Sequence, residues 1–220
     1  MRETEPVTSS SGRDRPRRPA HFSLAAMEAL GATTPGPAEV TEVAHQSAAA
    51  IVGVGRAARD SVVTERLVAL VDELGLDTIA DLWAARPANS LPGALWRLYV
   101  LREWVRRSPD TASREYATGM RVAQANHVIA GVAEPPGPNE LRVLVDAVLT
   151  GVFEGDLAVA LERAAAFCRV ISTGRAELAN DTEGRDPATA RADTLTASSL
   201  LTTAEDLERA AAAWRHDAPT

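Results

Sequence analysis

The chain contains no lysine; all 23 of its basic residues are arginine. Arginine codons are GC-rich, and the bias needs no mechanism beyond that. There is one cysteine, Cys168. A lone cysteine excludes an internal disulfide and a multi-cysteine zinc site, and it fits a reducing compartment. Aromatic residues make up only 4% of the 220 positions, so the core has to be aliphatic and rich in alanine. No run approaches the roughly 18–20 apolar residues of a membrane-spanning helix. Positive charge is also scarce: the net charge is -7 and the pI about 5.2, which excludes wholesale attraction to DNA or to an anionic membrane. Recognisable catalytic motifs are missing too. The sequence has no HExxH, no GxSxG, no P-loop, and no GxGxxG after a strand.

What is present reads as helix. Alanine, leucine, arginine and glutamate dominate from about residue 22, and β-branched alternation is missing. Apolar residues reach 45%, enough for the core of one medium domain with tails. The expected fold is all-α: a single bundle of about six to eight helices, a disordered N-terminal tail and a tethered C-terminal amphipathic helix. Residues 1–20 are Ser, Thr, Arg and Pro with few apolar groups, and read as a disordered basic tail. "RPRRPAHFSLAAMEALGA" has the arginine-then-apolar order of a secretory signal. Its apolar part is short, contains Glu28, and is interrupted by Pro19 and His21, so a tail is the expectation. The bundle is placed at 21–175, an acidic mobile linker at 176–186, and the last helix at 187–220.

Gly and Pro mark the helix ends. A helix starts near Pro37, and "ARDSV" breaks the chain near residue 60. Gly75 closes "VVTERLVALVDEL". Asp77 is the expected N-cap of "DTIADLWAAR", with Pro87 ending that helix. Ser90 with Pro92, and Ser108 with Pro109, open the next two. Gly119 is expected to interrupt the second of these. "EPPGPNE" reads as a stiff connector, "ELRVLVDAVL" ends at Gly151, and "GDLAVALERAAAFCRVIS" ends at Gly174.

The helix "SLPGALWRLYVLREWVRR" has two apolar faces. At about 100° per residue, Leu91, Ala94, Leu95, Leu98, Leu101 and Val105 share one stripe. Trp96, Val100 and Trp104 form a second stripe nearly opposite. Such a helix is expected to lie sandwiched in a core, with arginine heads reaching solvent from its flanks. A pocket beside Trp96 and Trp104, holding a small ligand or a substrate, is one functional expectation.

A second expectation is nucleic-acid binding. Seven arginines face three acids between Arg86 and Arg121, a local net of +4, so the rest of the chain carries -11. Five of the nine aromatics, Trp83, Trp96, Tyr99, Trp104 and Tyr116, lie in or beside this stretch. Arginines interleaved with aromatics suit phosphates and bases. The candidate contacts are Arg97, Arg102, Arg106, Arg107 and Arg114. "ERLVALVDELGLDTIADLWAAR" also has helix-turn-helix spacing, although Asp77 and Asp81 sit where a recognition helix would meet phosphate.

Metal and nucleophile candidates are thin. Glu42-x-x-His45 puts a carboxylate and an imidazole on one helix face, but di-iron bundles need a second such pair, and "QANH" supplies only Gln124 with His127. Gly53-x-Gly55 reads as close helix packing. Cys168 lies on an inner stripe with Leu157, Leu161, Ala164, Phe167 and Ile171, as a small hydrophobe would. Leu141, Leu144, Val145 and Val148 form the matching stripe on the preceding helix, and the two are expected to pack together and on the tryptophan helix. No catalytic residue, metal site or cofactor is assigned.

The last helix carries Ala197, Leu200, Ala204, Leu207, Ala211 and Trp214 at spacings of 3, 4, 3, 4 and 3, a seam that would dock on its own bundle or on a partner. The run "DAVLTGVFEGDLAVALERAAAFCRV" resembles uncharacterised all-helical proteins of high-GC actinobacteria, over residues 80–175. That resemblance implies a helical bundle and carries over no functional residue. The leading expectation is a cytoplasmic, non-enzymatic interaction or regulatory module. Its contact would be a protein partner or a second copy, through the C-terminal seam; nucleic acid ranks behind it, and no membrane is expected. Enzymatic activity stays open.

Overall fold

The structure, a computed structural model, describes residues 36–126 and 136–216. The expected tail, the segment from 22 to 32, His21, His127 and residues 217–220 lie outside the described residues. The chain divides into two units, 1–36 and 37–220, and every described helix lies in the second.

The fold is an all-α bundle. Its helices are α1 (Pro37–Ala58), α2 (Ser61–Val68), α3 (Leu70–Leu74), α4 (Leu76–Trp83), α5 (Leu91–Arg107), α6 (Pro109–Asn126), α7 (Pro138–Glu154), α8 (Leu157–Glu183) and α9 (Pro187–Arg215). Nine helices among the described residues exceed the expected six to eight. One reason is a break at Ala69 (φ -88°, ψ 13°), which splits "VVTERLVALVDEL" into α2 and α3.

The caps explain most boundaries. Asp60, Ser90, Asp156 and Asp186 each accept a backbone N–H from the first turn of their helix. Pro follows at the start of α5, α7 and α9. Gly75 (φ 83°) takes the left-handed turn between α3 and α4. Asp77 is therefore not a cap: Gly75 holds that position, and Asp77 lies exposed in the first turn of α4.

Three expected breaks are absent. α7 runs past Gly151 to Glu154, α6 runs through Gly119, and α8 runs past Gly174 to Glu183. The supposed linker is thus mostly the last third of α8, with Arg175 and Ala179 buried. For Gly119 and Gly174 the physical reason lies in a helix crossing. A Cβ at Gly174 would stand 1.8 Å from the Glu115 carbonyl oxygen, and one at Gly119 would stand 2.0 Å from that of Val170. The two glycines let α6 and α8 touch backbone to backbone, so they are contact residues and not stops.

The core is aliphatic and alanine-rich. The inner stripe of α8, from Leu157 through Ile171, is buried, and faces Leu141, Val145 and Val148 of α7. Gly55 packs on Phe153 and Leu67, as the close-packing reading expects, while Gly53 has nothing near it. The short turn Gly184–Asp186 sends α9 back antiparallel along α8. Three contacts fix its register: Ser172 Oγ donates to the Ala197 carbonyl (2.7 Å), Arg169 pairs with Glu208 (2.7 Å), and Arg215 pairs with Glu162. No helix among the described residues is long and apolar enough to cross a membrane.

Candidate functional site

The first stripe of α5 is buried as expected except at its start: Ala94, Leu95, Leu98, Leu101 and Val105 are at most 7% exposed, and Leu91 is half-buried. The second is not sandwiched. Trp96 and Trp104 are half-buried and Val100 is 36% exposed. They form one wall of a cleft of about 470 Å³, with α8 as floor and α9 as the opposite wall. Volumes of roughly 300–1,000 Å³ with mainly apolar walls are those of small-molecule sites.

Leu200 supplies the apolar part of the α9 wall, and Thr196, Ser199 and Thr203 supply hydroxyls. Each hydroxyl donates to the carbonyl one turn back, on Ala192, Leu195 and Ser199 respectively, at 2.8–3.0 Å. They therefore offer the cleft lone pairs and not protons. Two arginines border the space. Arg97 donates to the Gly93 carbonyl (2.9 Å) and to Asp206 (3.2 Å). Arg175 is buried, pairs bidentately with Glu115 (3.0 and 2.8 Å), and lies 5.2 Å from the Trp104 ring centroid, within cation–π range. The cleft is thus balanced in charge.

Cys168 forms part of the floor. It is fully buried, and burial pushes its thiol up to about 12. The thiolate is the reactive form, so this thiol is inert near neutral pH. The native protein is expected not to react with an aromatic disulfide reagent near neutral pH, and to release one equivalent of chromophore on unfolding. Rapid reaction of the folded chain would contradict the placement. A raised folded value also sets a sign for stability. The contribution is whole below the ordinary thiol value of 9.0 and is lost as pH rises towards 12. Tyr99, pushed up by burial while donating to the Leu67 carbonyl (2.6 Å), acts in the same direction. The melting temperature is therefore expected to fall above about pH 9.

The nucleic-acid candidates do not form one open surface. Arg102 is 3% exposed and bonds Asp146 (2.7 Å) and Asp72 (3.2 Å). Burial pulls its guanidinium down, but the two carboxylates outweigh this and the net shift is upward. Arg106 approaches Asp72 (3.8 Å) and Asp146 (3.7 Å), and Arg107 pairs with Glu103. Arg97 turns to Asp206, and of the five candidates Arg114 alone is exposed with no ion pair to a described residue. Trp83 and Tyr99 are fully buried, Trp83 donating to Ser47 Oγ (3.0 Å). Asp77 and Asp81 are exposed. The local excess of arginine is offset by acids from distant segments, which sequence spacing cannot reveal.

The C-terminal seam is covered by its own chain. Ala197, Ala204, Leu207 and Ala211 are buried, and Leu200 and Trp214 are half-buried, Leu200 at the cleft and Trp214 under Arg56 (5.5 Å). Glu42 is exposed and accepts from Gln46 (2.7 Å), and no group of three metal-ligating side chains occurs among the described residues.

No family model, curated protein or solved structure matches the chain. The site therefore stands on its own geometry. Sequence reasoning marked Trp96 and Trp104 but missed Glu115, Arg175 and the α9 hydroxyls. A helix that ends at Gly174 leaves Arg175 outside it, whereas the observed helix carries Arg175 on its buried face. Thr196, Ser199 and Thr203 are spaced three and four apart on the flank of the seam, the signal by which sequence could find them.

Proposed function

We propose that this chain is a non-enzymatic binding protein whose α5–α8–α9 cleft takes a small, mostly apolar ligand. The observation that carries the reading is the second tryptophan face of α5. Trp96, Val100 and Trp104 remain partly open to a space of about 470 Å³ although α9 lies across from them. Apolar surface left open inside a cleft favours an apolar occupant. The polar groups support binding over chemistry. The hydroxyls donate to backbone, the arginines are paired, and the Cys168 thiol is neutral, so none of these is poised as nucleophile or base. α9 forms a whole wall, so occupancy strengthens its docking; this supports a regulatory role, with α9 as the element that reports the ligand. The buried free thiol supports a reducing, cytoplasmic setting.

N-phenylnaphthylamine, a probe that brightens in apolar surroundings, tests the reading. Saturable binding to one site is expected. Val100→Arg places a long side chain in the cleft from a partly exposed helical position. Affinity is expected to drop about tenfold or more, with stability changed by less than about 0.5–1 kcal/mol. Equal binding by both proteins, or no saturable binding, would refute the cleft.

A further inference from the structure

Glu115 leaves one edge of Arg175 unengaged. The carboxylate accepts from Nε (3.0 Å) and Nη2 (2.8 Å), and Nη1 makes no hydrogen bond to the described residues. The side chain is 9% exposed and borders the cleft, and Nη1 keeps access to solvent, unlike Thr64 Oγ1 and Arg86 Nε, which are buried with no partner among the described residues. Arg97 differs. Both of its terminal nitrogens have partners, and its side chain is 24% exposed.

We propose that Arg175 Nη1 is the donor by which the cleft recognises an uncharged acceptor oxygen, a ketone, ester or amide carbonyl, on an otherwise flat, apolar ligand. The proposal rests on the cleft being a ligand site and adds the chemistry of what enters. An acceptor is required because guanidinium nitrogens only donate. It is uncharged because Glu115 already balances Arg175, and Asp206 balances Arg97. A carboxylate there would be a second negative charge against one buried cation, losing its hydration without a partner of its own. Flatness follows from Trp104, against which the guanidinium is held. The close α6–α8 crossing at Gly119 and Gly174 brings Glu115 to Arg175, so the donor is fixed in place before any ligand arrives.

Three (dimethylamino)naphthalenes of similar shape test this, bearing a propionyl, a propyl or a carboxylate group. With the full chain, the ketone is expected to bind about fivefold tighter than the propyl compound, and the carboxylate more weakly than the ketone. E115L together with R175M removes both charges while keeping volume, a kind of replacement that folds often tolerate. It is expected to bring the ketone down to the propyl compound, so that the roughly fivefold difference between the two is lost. Equal binding of ketone and propyl compound by the unaltered chain would overturn the proposal while leaving the cleft intact. So would preference for the carboxylate, or equal weakening of all three by the double substitution. Binding of none would overturn the cleft reading and this one together. The order measured on the unaltered chain stands whether or not the double variant folds.

Discussion

Gly174→Ala is expected to destabilise the protein by about 3 kcal/mol or more, although alanine is the better helix former by roughly 1 kcal/mol. The added methyl would meet the Glu115 carbonyl oxygen at 1.8 Å and the Gly119 amide nitrogen at 2.7 Å. Those atoms are backbone in the middle of α6, so no rotamer change relieves the clash, and the two helices must separate. Separation would also pull Glu115 from Arg175 and leave a buried cation unpaired. For a domain of this size the melting temperature should drop by roughly 6–12 °C. Gly53→Ala is the matched control. Gly53 lies within α1 with nothing within 4 Å of its would-be Cβ, so that variant should gain up to about 1 kcal/mol. One substitution with opposite signs at two helical glycines is the fingerprint of a contact crossing. Destabilisation of similar size at both would refute it.

Leu207→Asp should cost still more. Leu207 is fully buried between α9 and the bundle, within the apolar core. Loss of the apolar contacts and burial of a charge together amount to about 4–5 kcal/mol, a large part of the total stability of a typical domain. The melting temperature is expected to drop by about 8–20 °C, while the mass by light scattering of the fraction that stays folded is unchanged. A fall in mass with little loss of stability would mean that the seam joins two chains. Both Ser172 to Ala197 and the flanking pairs Arg169–Glu208 and Arg215–Glu162 argue for docking within the chain.

Much of the bundle could be read from local chemistry. Pro37, Asp60, Ser90, Pro109, Asp156 and Pro187 begin or cap helices where their types suggest, because capping depends on neighbours one turn away. Inner stripes were legible for the same reason. Glycine was the hard case: Gly75 does turn the chain, but Gly119 and Gly174 serve a contact between segments more than fifty positions apart. Sequence alone offers no distinction between a glycine that ends a helix and one that admits another helix. Arginine was ambiguous in the same way. The stretch from 86 to 121 looks basic only while its acids, Asp72, Asp146 and Asp206, are out of view. Trp96 and Trp104 mark the face of α5 that lines the cleft. Whether that face met a helix or a cleft depended on how closely α9 approaches, and α9 presents small hydroxylated side chains there.

Indole N–H resonances test the central claim most directly, because the four tryptophans occupy different settings. Trp96 and Trp104 line the cleft; Trp83 is fully buried with its N–H bonded to Ser47, and Trp214 lies under Arg56. Titration of nitrogen-15-labelled protein with the propionyl naphthalene should shift the Trp96 and Trp104 signals along one saturating curve and leave those of Trp83 and Trp214 in place. Shifts confined to Trp214 or Trp83, or no saturable shift at Trp96 and Trp104, would contradict the account.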